Sequence, residues 1–345
     1  MHATSSRLRF LSRAKFSFQC SFGATSALPP PSFLKDVPGD ATQDRPENSF
    51  AMSPETPLTL FRRPLTRELS DVDVAIMGFP FDNATTNRPG ARLGPRSIRQ
   101  ASAHMSKIVN YPSEYNVFDR LKVVDYGDVY FEHAYAEDFL ARAEAAVAGV
   151  IAAGCATLGL GGDHFIAYPL LRAHSAALGQ PLSLIHFDAH SDTWRSELKS
   201  HGTMFFHAAR EGIVDPQTSV QIGIRTWNPE THGFNLIDAR SVRRLGIDFV
   251  IERVRDIVCD RPCYISFDVD CLDPAFAPGT GTPVAGGLST ADALEIIYGL
   301  ESLSLNVVGA DVVEVSPPFD HAEITAIAAA QIGHRFLHVM CNRKH

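Results

Sequence analysis

The run Leu182-Ser183-Leu184-Ile185-His186-Phe187-Asp188-Ala189-His190-Ser191-Asp192 decides how this chain is read. Residues 182–187 make an apolar stretch of strand length, and two carboxylates and an imidazole follow it at once. Along extended backbone, side chains at i, i+2 and i+4 share a face, so Asp188, His190 and Asp192 converge where the strand runs into a loop. Acids held that close repel, and one takes up a proton unless a cation sits among them. A bound divalent metal is the common reason for such a trio. The plain alternative is a solvated turn or an ion-pair cluster, and the rest of the chain weighs between the two.

Outward from this run, strand-like apolar segments fall at 72–78, 122–126, 155–160, 219–224, 234–238, 263–269 and 306–315, the thinnest being 122–126 and 234–238. Helical patterns lie between them, at 95–106 behind the helix-start Pro95, at 136–153 before the stop Gly154, and at 166–178, 203–211, 248–259, 290–302 and 323–341. Asp320 stands ahead of the last. Near-continuous apolar strands alternating with helices predict an α/β fold, a three-layer α/β/α sandwich around a central, mainly parallel eight-stranded sheet. Two long Gly- and Pro-rich loops, 80–94 and 272–289, are of a length that usually carries function.

The chain has 345 residues, 45% hydrophobic and 20% charged, with net charge −8. That balance argues against a nucleic-acid partner, leaves room for a small cationic substrate, and comes with no apolar run of membrane-spanning length. The six cysteines form no Cys-x-x-Cys pair and are expected as reduced, mostly buried thiols. The first 35 residues carry five basic residues and no acid, and Pro29-Pro30-Pro31 follows the Ser- and Phe-rich part. Residues 1–56 read as an extension outside the fold: a transit peptide, the product of an upstream start ahead of Met52, or a disordered arm. A single catalytic domain is expected over 57–345, in the cytoplasm, or in the mitochondrion if the extension is a transit peptide.

In open α/β sheets ligands bind beyond the carboxyl ends of the strands. Gly161-Gly162-Asp163-His164 follows the third candidate strand, Asp268-Val269-Asp270 ends the seventh, and Glu314 ends the eighth. Four strands therefore carry acids or histidines at one edge. His164, Asp188, His190, Asp192, Asp268 and Asp270 are too many ligands, with too much charge, for one ion, and fit two bridged divalent ions. Oxygen donors with two imidazoles and no thiolate point to Mn²⁺ ahead of Zn²⁺.

GGDHF at 161–165, FDAHSD at 187–192, SFDVDCLDPAFAPGTGTPVAGGL at 266–288 and DVVEVSPP at 311–318 resemble the ureohydrolases, the family of arginase, agmatinase and their relatives. GFPFDNATTNRPGARLGPRSIRQAS at 78–102, HGTMF at 201–205 and SVQIGIRT at 219–226 carry a finer likeness to the bacterial agmatinases. Where arginases carry an asparagine that reads the amino-acid end of the substrate, Thr193, Trp194 and Arg195 stand here, so a decarboxylated guanidine is expected in place of arginine. The resemblance implies one Mn²⁺ on His164, Asp188, Asp192 and Asp268 and a second on Asp188, His190, Asp268 and Asp270, with Asp188 and Asp268 bridging. It implies His201 as proton shuttle, Glu314 as the carboxylate holding the guanidinium, and Asp192 in the catalytic set besides its ligand role. Trp194 is expected in the substrate wall or in loop packing.

The implied reaction is hydrolysis of agmatine to putrescine and urea by a hydroxide bridging two metals. A guanidinobutyrase or another guanidino-compound ureohydrolase is the nearest alternative, and a two-metal phosphohydrolase a more distant one. A homo-oligomer, trimer or hexamer, is implied as well. His186 reads as a hydrogen-bonded core histidine, Asp163 as a turn former or a partner of His164, and Asp82, Asn83 and Arg88 as candidates for the entrance.

Overall fold

All eight apolar runs form strands, and every pairing between them is parallel. In the computed structural model, which describes residues 57–342 apart from 133 and 134, these are β1 (Val74–Phe79), β2 (Val123–Asp128), β3 (Ala156–Gly161) and β4 (Ser183–Phe187). They continue as β5 (Val220–Ile224), β6 (Asn235–Asp238), β7 (Pro262–Asp268) and β8 (Asn306–Val313). The expected extension over 1–56 lies outside the described residues.

The strand order is β2-β1-β3-β8-β7-β4-β5-β6. The two thinnest runs, β2 and β6, are the two edges. An edge strand has one paired side and looser cover, so it tolerates a weaker apolar pattern than a central one. Central β4 and β7 are buried along their whole length, whereas β6 buries only Ile237 fully.

Helices cover both faces, because strand side chains alternate between two apolar layers. On one side Val74, Ile76, Leu158, Ile185, Phe187 and Ile265 meet α1 (Gly94–Ser102), α5 (Ala239–Leu245), α6 (Ile247–Val258), α7 (Thr290–Ser302) and α8 (Ile324–Cys341). On the other, Ala75, Met77, Phe79, Leu184 and Tyr264 meet α2 (Ala136–Ala152), α3 (Ala167–Leu178) and α4 (Met204–Arg210). Asp320 serves α8 as expected, its carboxylate accepting from the backbone of Thr325 and Ala326.

Helix α5 was not expected from the sequence pattern. The segment after β6 is short and highly charged, and its apolar signal is thin. Its capping signal was present: Asp238 accepts from the backbone N–H of Arg240 and Ser241, and Gly246, at φ 88°, ends the helix. Among the described residues, no helix is long and apolar enough to cross a membrane, and none of the five described cysteines is in a disulfide.

Candidate metal centre and active site

Strand order brings the chemistry together. β3, β8, β7 and β4 are neighbours at the middle of the sheet, and they deliver His164, Glu314, Asp268 with Asp270, and Asp188 through Asp192 to one edge. Behind β3 the chain turns where a side chain at Gly162 would place its Cβ 1.8 Å from the Phe81 carbonyl oxygen, so only glycine fits. Asp163 then caps the short helical turn of His164–Ile166, accepting from Phe165 N–H, while its other oxygen accepts from Ala84 N–H. Asp163 is thus a turn former that also ties down the loop after β1.

His164 has its tautomer assigned by its neighbours. The Ser266 hydroxyl donates to Asp311 Oδ1 (2.7 Å), so Ser266 Oγ accepts from His164 Nε2–H (2.8 Å). Tyr264 donates to the other Asp311 oxygen and fixes that carboxylate in turn. The lone pair of His164 Nδ1 therefore faces three carboxylate oxygens: Asp192 Oδ2 at 3.0 Å, Asp188 Oδ2 at 3.1 Å and Asp268 Oδ2 at 3.3 Å. No hydrogen bond is made at that buried nitrogen. Lone pairs converging on one point are repulsive unless a cation occupies it. The donor set thus fits a metal ion.

A second cluster lies beside the first. His190 Nδ1 stands 3.1 Å from Asp270 Oδ2 and 3.3 Å from Asp188 Oδ1. Asp188 hence offers Oδ2 to one group and Oδ1 to the other, the geometry of a bridging carboxylate. The backbone fixes these acids too: Asp188 Oδ1 accepts from His190 N–H, Asp268 Oδ1 from Asp270 N–H, and Asp270 Oδ1 from Ala189 N–H. Burial, then the charge of Asp188, pushes the Asp192 carboxyl up to about 7. Burial and the charges of Asp270 and Asp188 raise Asp268 well above the ordinary carboxylate range. A bound cation opposes both shifts by favouring the ionised carboxylates.

His186 lies within reach of the first cluster but is already engaged. Gln221 Nε2 donates to the Ser191 carbonyl (2.7 Å) and sits 3.0 Å from His186 Nδ1. His186 Nε2–H is left to donate to Asp188 Oδ2 (2.8 Å). Burial lowers this imidazole to about 4, so the ring is neutral and orients Asp188.

Glu314 and Asp192 both adopt left-handed backbone, at φ 64° and 51°. Such conformations cost about 1–3 kcal/mol each in non-glycine residues and persist where the surroundings enforce them. Glu314 is 1% exposed. Its Oε1 accepts from His164 N–H (2.8 Å) and lies 3.0 Å from His201 Nδ1, while Oε2 is buried with no partner. Burial lowers the proton affinity of His201, but the hydrogen bond and charge of Glu314 outweigh it and push the imidazole up to about 9.

A cavity of about 310 Å³ opens onto His201 and the acid cluster, with Glu314 behind its wall; it is lined by His190, Asp192, Asp268, Trp194, His201 and Thr282 among others, with no lysine or arginine among the described residues. Trp194 is 46% exposed at its wall. Asp82, Asn83 and Arg88, expected near an entrance, do not line it. Their side chains brace the loop instead: Asp82 accepts from Gly90 N–H, Asn83 from Arg92, and Arg88 donates to the Thr280 and Gly281 carbonyls. Sequence reasoning missed Ser266, Asp311, Gln221, Thr282 and Thr86. All five lie inside the quoted motifs, which mark the segments without saying which side chains reach the site; the Thr282 hydroxyl, for one, donates to Asp270.

Residues 72–338 match the model of the arginase family. An agmatinase of Chromobacterium violaceum is 47% identical over 290 residues, 83% of this chain and 89% of that one. Among solved structures, a hypothetical agmatinase from Burkholderia thailandensis is 49% identical with a TM-score of 0.80, covering 82% of this chain and 90% of that one. The proclavaminate amidino hydrolase of Streptomyces clavuligerus is 36% identical with a TM-score of 0.78, covering 86% and 99%.

Proposed function

The chain belongs to the arginase family, and from that premise we propose that it is an amidinohydrolase with two Mn²⁺ ions that converts agmatine to putrescine and urea. In this reading His164, Asp188, Asp192 and Asp268 hold one ion and Asp188, His190, Asp268 and Asp270 the other. When bound, the ions supply Lewis acidity and a water nucleophile ionised near neutral pH.

The chain's own residues do the rest. Glu314 receives the guanidinium, the one substrate group that is cationic, planar and rich in N–H donors. Asp192, on the cavity wall, aligns the attacking water. His201 carries the proton that the leaving amine must gain. The observation that carries this reading is Glu314 Oε2, a buried carboxylate oxygen without a donor beside the acid cluster.

The tail of the substrate is read by what the cavity lacks. An anionic tail such as that of 4-guanidinobutyrate needs a lysine or arginine, and none of the described residues on the wall is one. A phosphate ester needs one too, and Glu314 repels it. A cationic tail finds the open face of Trp194. Urea release from agmatine, arginine and 4-guanidinobutyrate with Mn²⁺ tests the assignment: agmatine is expected to give the highest kcat/KM. Urea from none of them would overturn the reaction class, and a preference for guanidinobutyrate would overturn the substrate.

A homo-oligomer, trimer or hexamer, is part of the proposal; the exposed Trp227 and Leu236 beside a hollow of about 580 Å³ support it. So is a cytoplasmic location, which the lack of disulfides among the described cysteines favours. Light scattering of the purified protein and fractionation of cells check these two points.

A further inference from the structure

His201 is gripped from both sides. Nδ1 faces Glu314, and Nε2 lies 3.0 Å from the Thr86 backbone N and 2.7 Å from Thr86 Oγ1. A backbone N–H only donates, so Nε2 must offer it a lone pair. The single proton of the neutral ring then sits on Nδ1 and goes to Glu314, which suits both neighbours.

A proton donor must also exist with both nitrogens protonated. Nε2 then carries a hydrogen that the Thr86 N–H opposes, and the Thr86 hydroxyl oxygen is the acceptor within reach. The hydroxyl rotates to suit either state. We propose that Thr86 is a positioning residue of the hydrolysis: its N–H holds the neutral His201 ring and its hydroxyl holds the protonated one, so the imidazole stays aimed through the proton transfer.

The loop is built to present Thr86. On one side Ala84 N–H is held by Asp163 and the Ala84 carbonyl accepts from His201 N–H. On the other, Asn87 and Arg88 donate to the Gly281 carbonyl, and the Arg88 guanidinium rests 4.4 Å over the Phe319 ring. Both anchors flank Thr86 directly, and neither uses its side chain. Thr86 is an exposed residue on the cavity wall, and the partner of its hydroxyl is His201.

This inference rests on His201 as the proton donor. The test compares wild type, Thr86→Val, Thr86→Ser, His201→Asn and the Thr86→Val/His201→Asn double variant, all with Mn²⁺ and agmatine. Thr86→Val keeps the N–H and the shape but loses the hydroxyl. It is expected to lower kcat by about 10²-fold, the scale of a misplaced catalytic group, with KM and bound manganese little changed. Thr86→Ser should restore kcat, and Thr86→Val should add nothing in the His201→Asn background.

A Thr86→Val enzyme with wild-type kcat, a loss seen only in KM, an unrescued Thr86→Ser, or an undiminished Thr86→Val effect without His201 would each overturn the assignment while leaving the hydrolysis intact. A wild type that releases no urea would instead sink the proposed reaction, and the role of Thr86 with it.

Discussion

Glu314→Gln removes one charge and almost no volume. Glutamine keeps an oxygen for His164 N–H and His201 Nδ1–H, so the two hydrogen bonds now made by Oε1 survive. What changes is the position of Oε2, now a bare acceptor. In the variant an amide NH₂ stands there and opposes the N–H groups of the guanidinium. Glu314 is almost fully buried, so water does not replace the lost partner. Removing one member of a buried charge pair costs about 3–5 kcal/mol. At about 1.4 kcal/mol per tenfold, kcat/KM for agmatine should fall by at least roughly 10²-fold.

The pH profile should move as well. Glu314 outweighs burial and holds the His201 proton up to about 9. With that charge gone the imidazole loses its proton at lower pH, so activity should decline at lower pH than in wild type. Urea release measured across pH at matched manganese content reads both effects. A Glu314→Gln enzyme within about threefold of wild-type kcat/KM would refute the placement of the guanidinium.

Asp270→Ala should cut bound manganese from about two ions per chain to about one, because Asp270 stands beside His190 in the second cluster; elemental analysis decides, and unchanged content and rate would contradict the ligand set. Trp194→Ala should raise KM for agmatine by about three- to tenfold, the loss of a half-exposed cation–π contact of about 1 kcal/mol, with a smaller effect on guanidines that lack a cationic tail; equal effects on both would remove Trp194 from substrate recognition. His174 tests the core away from the site. Burial lowers its imidazole to about 4, and its Nε2 pairs with Thr157. A folded pKa below the unfolded one means that its stability contribution is present above the unfolded value and is lost as pH falls from about 6.5 toward 4, by up to about 1.4 kcal/mol per pH unit. Urea unfolding of His174→Gln should therefore show a shallower loss than wild type across that window, and parallel curves would refute it.

Much of this was open to sequence reasoning because its signals are local. Each central strand announces itself as an apolar run, since a strand buried on both faces must be apolar throughout. The edge strands were fainter because one side has looser cover, and α5 escaped because its stripe is short between arginines. The candidate ligands were legible for a similar reason: acids and histidines directly behind buried strands are costly without a partner, so their mere presence there is informative.

Other parts depended on distance across the fold. The Asp188-Ala189-His190-Ser191-Asp192 run names its own residues, but not that Asp188 turns one oxygen to His164 and the other to His190. Ser266 and Asp311 fix the His164 tautomer from two different strands; both open quoted motifs, but nothing local shows that they meet each other and His164. Thr86 reaches His201 across 115 residues. From sequence alone came the strands, the acids at their ends and the class of ion those acids suit, because hydrophobic periodicity and the cost of buried charge act within a few residues. The tertiary structure decided that β8 and β7 insert between β3 and β4. That ordering puts four separate strand ends side by side, and long-range strand pairing sets it, leaving no local trace in the chain.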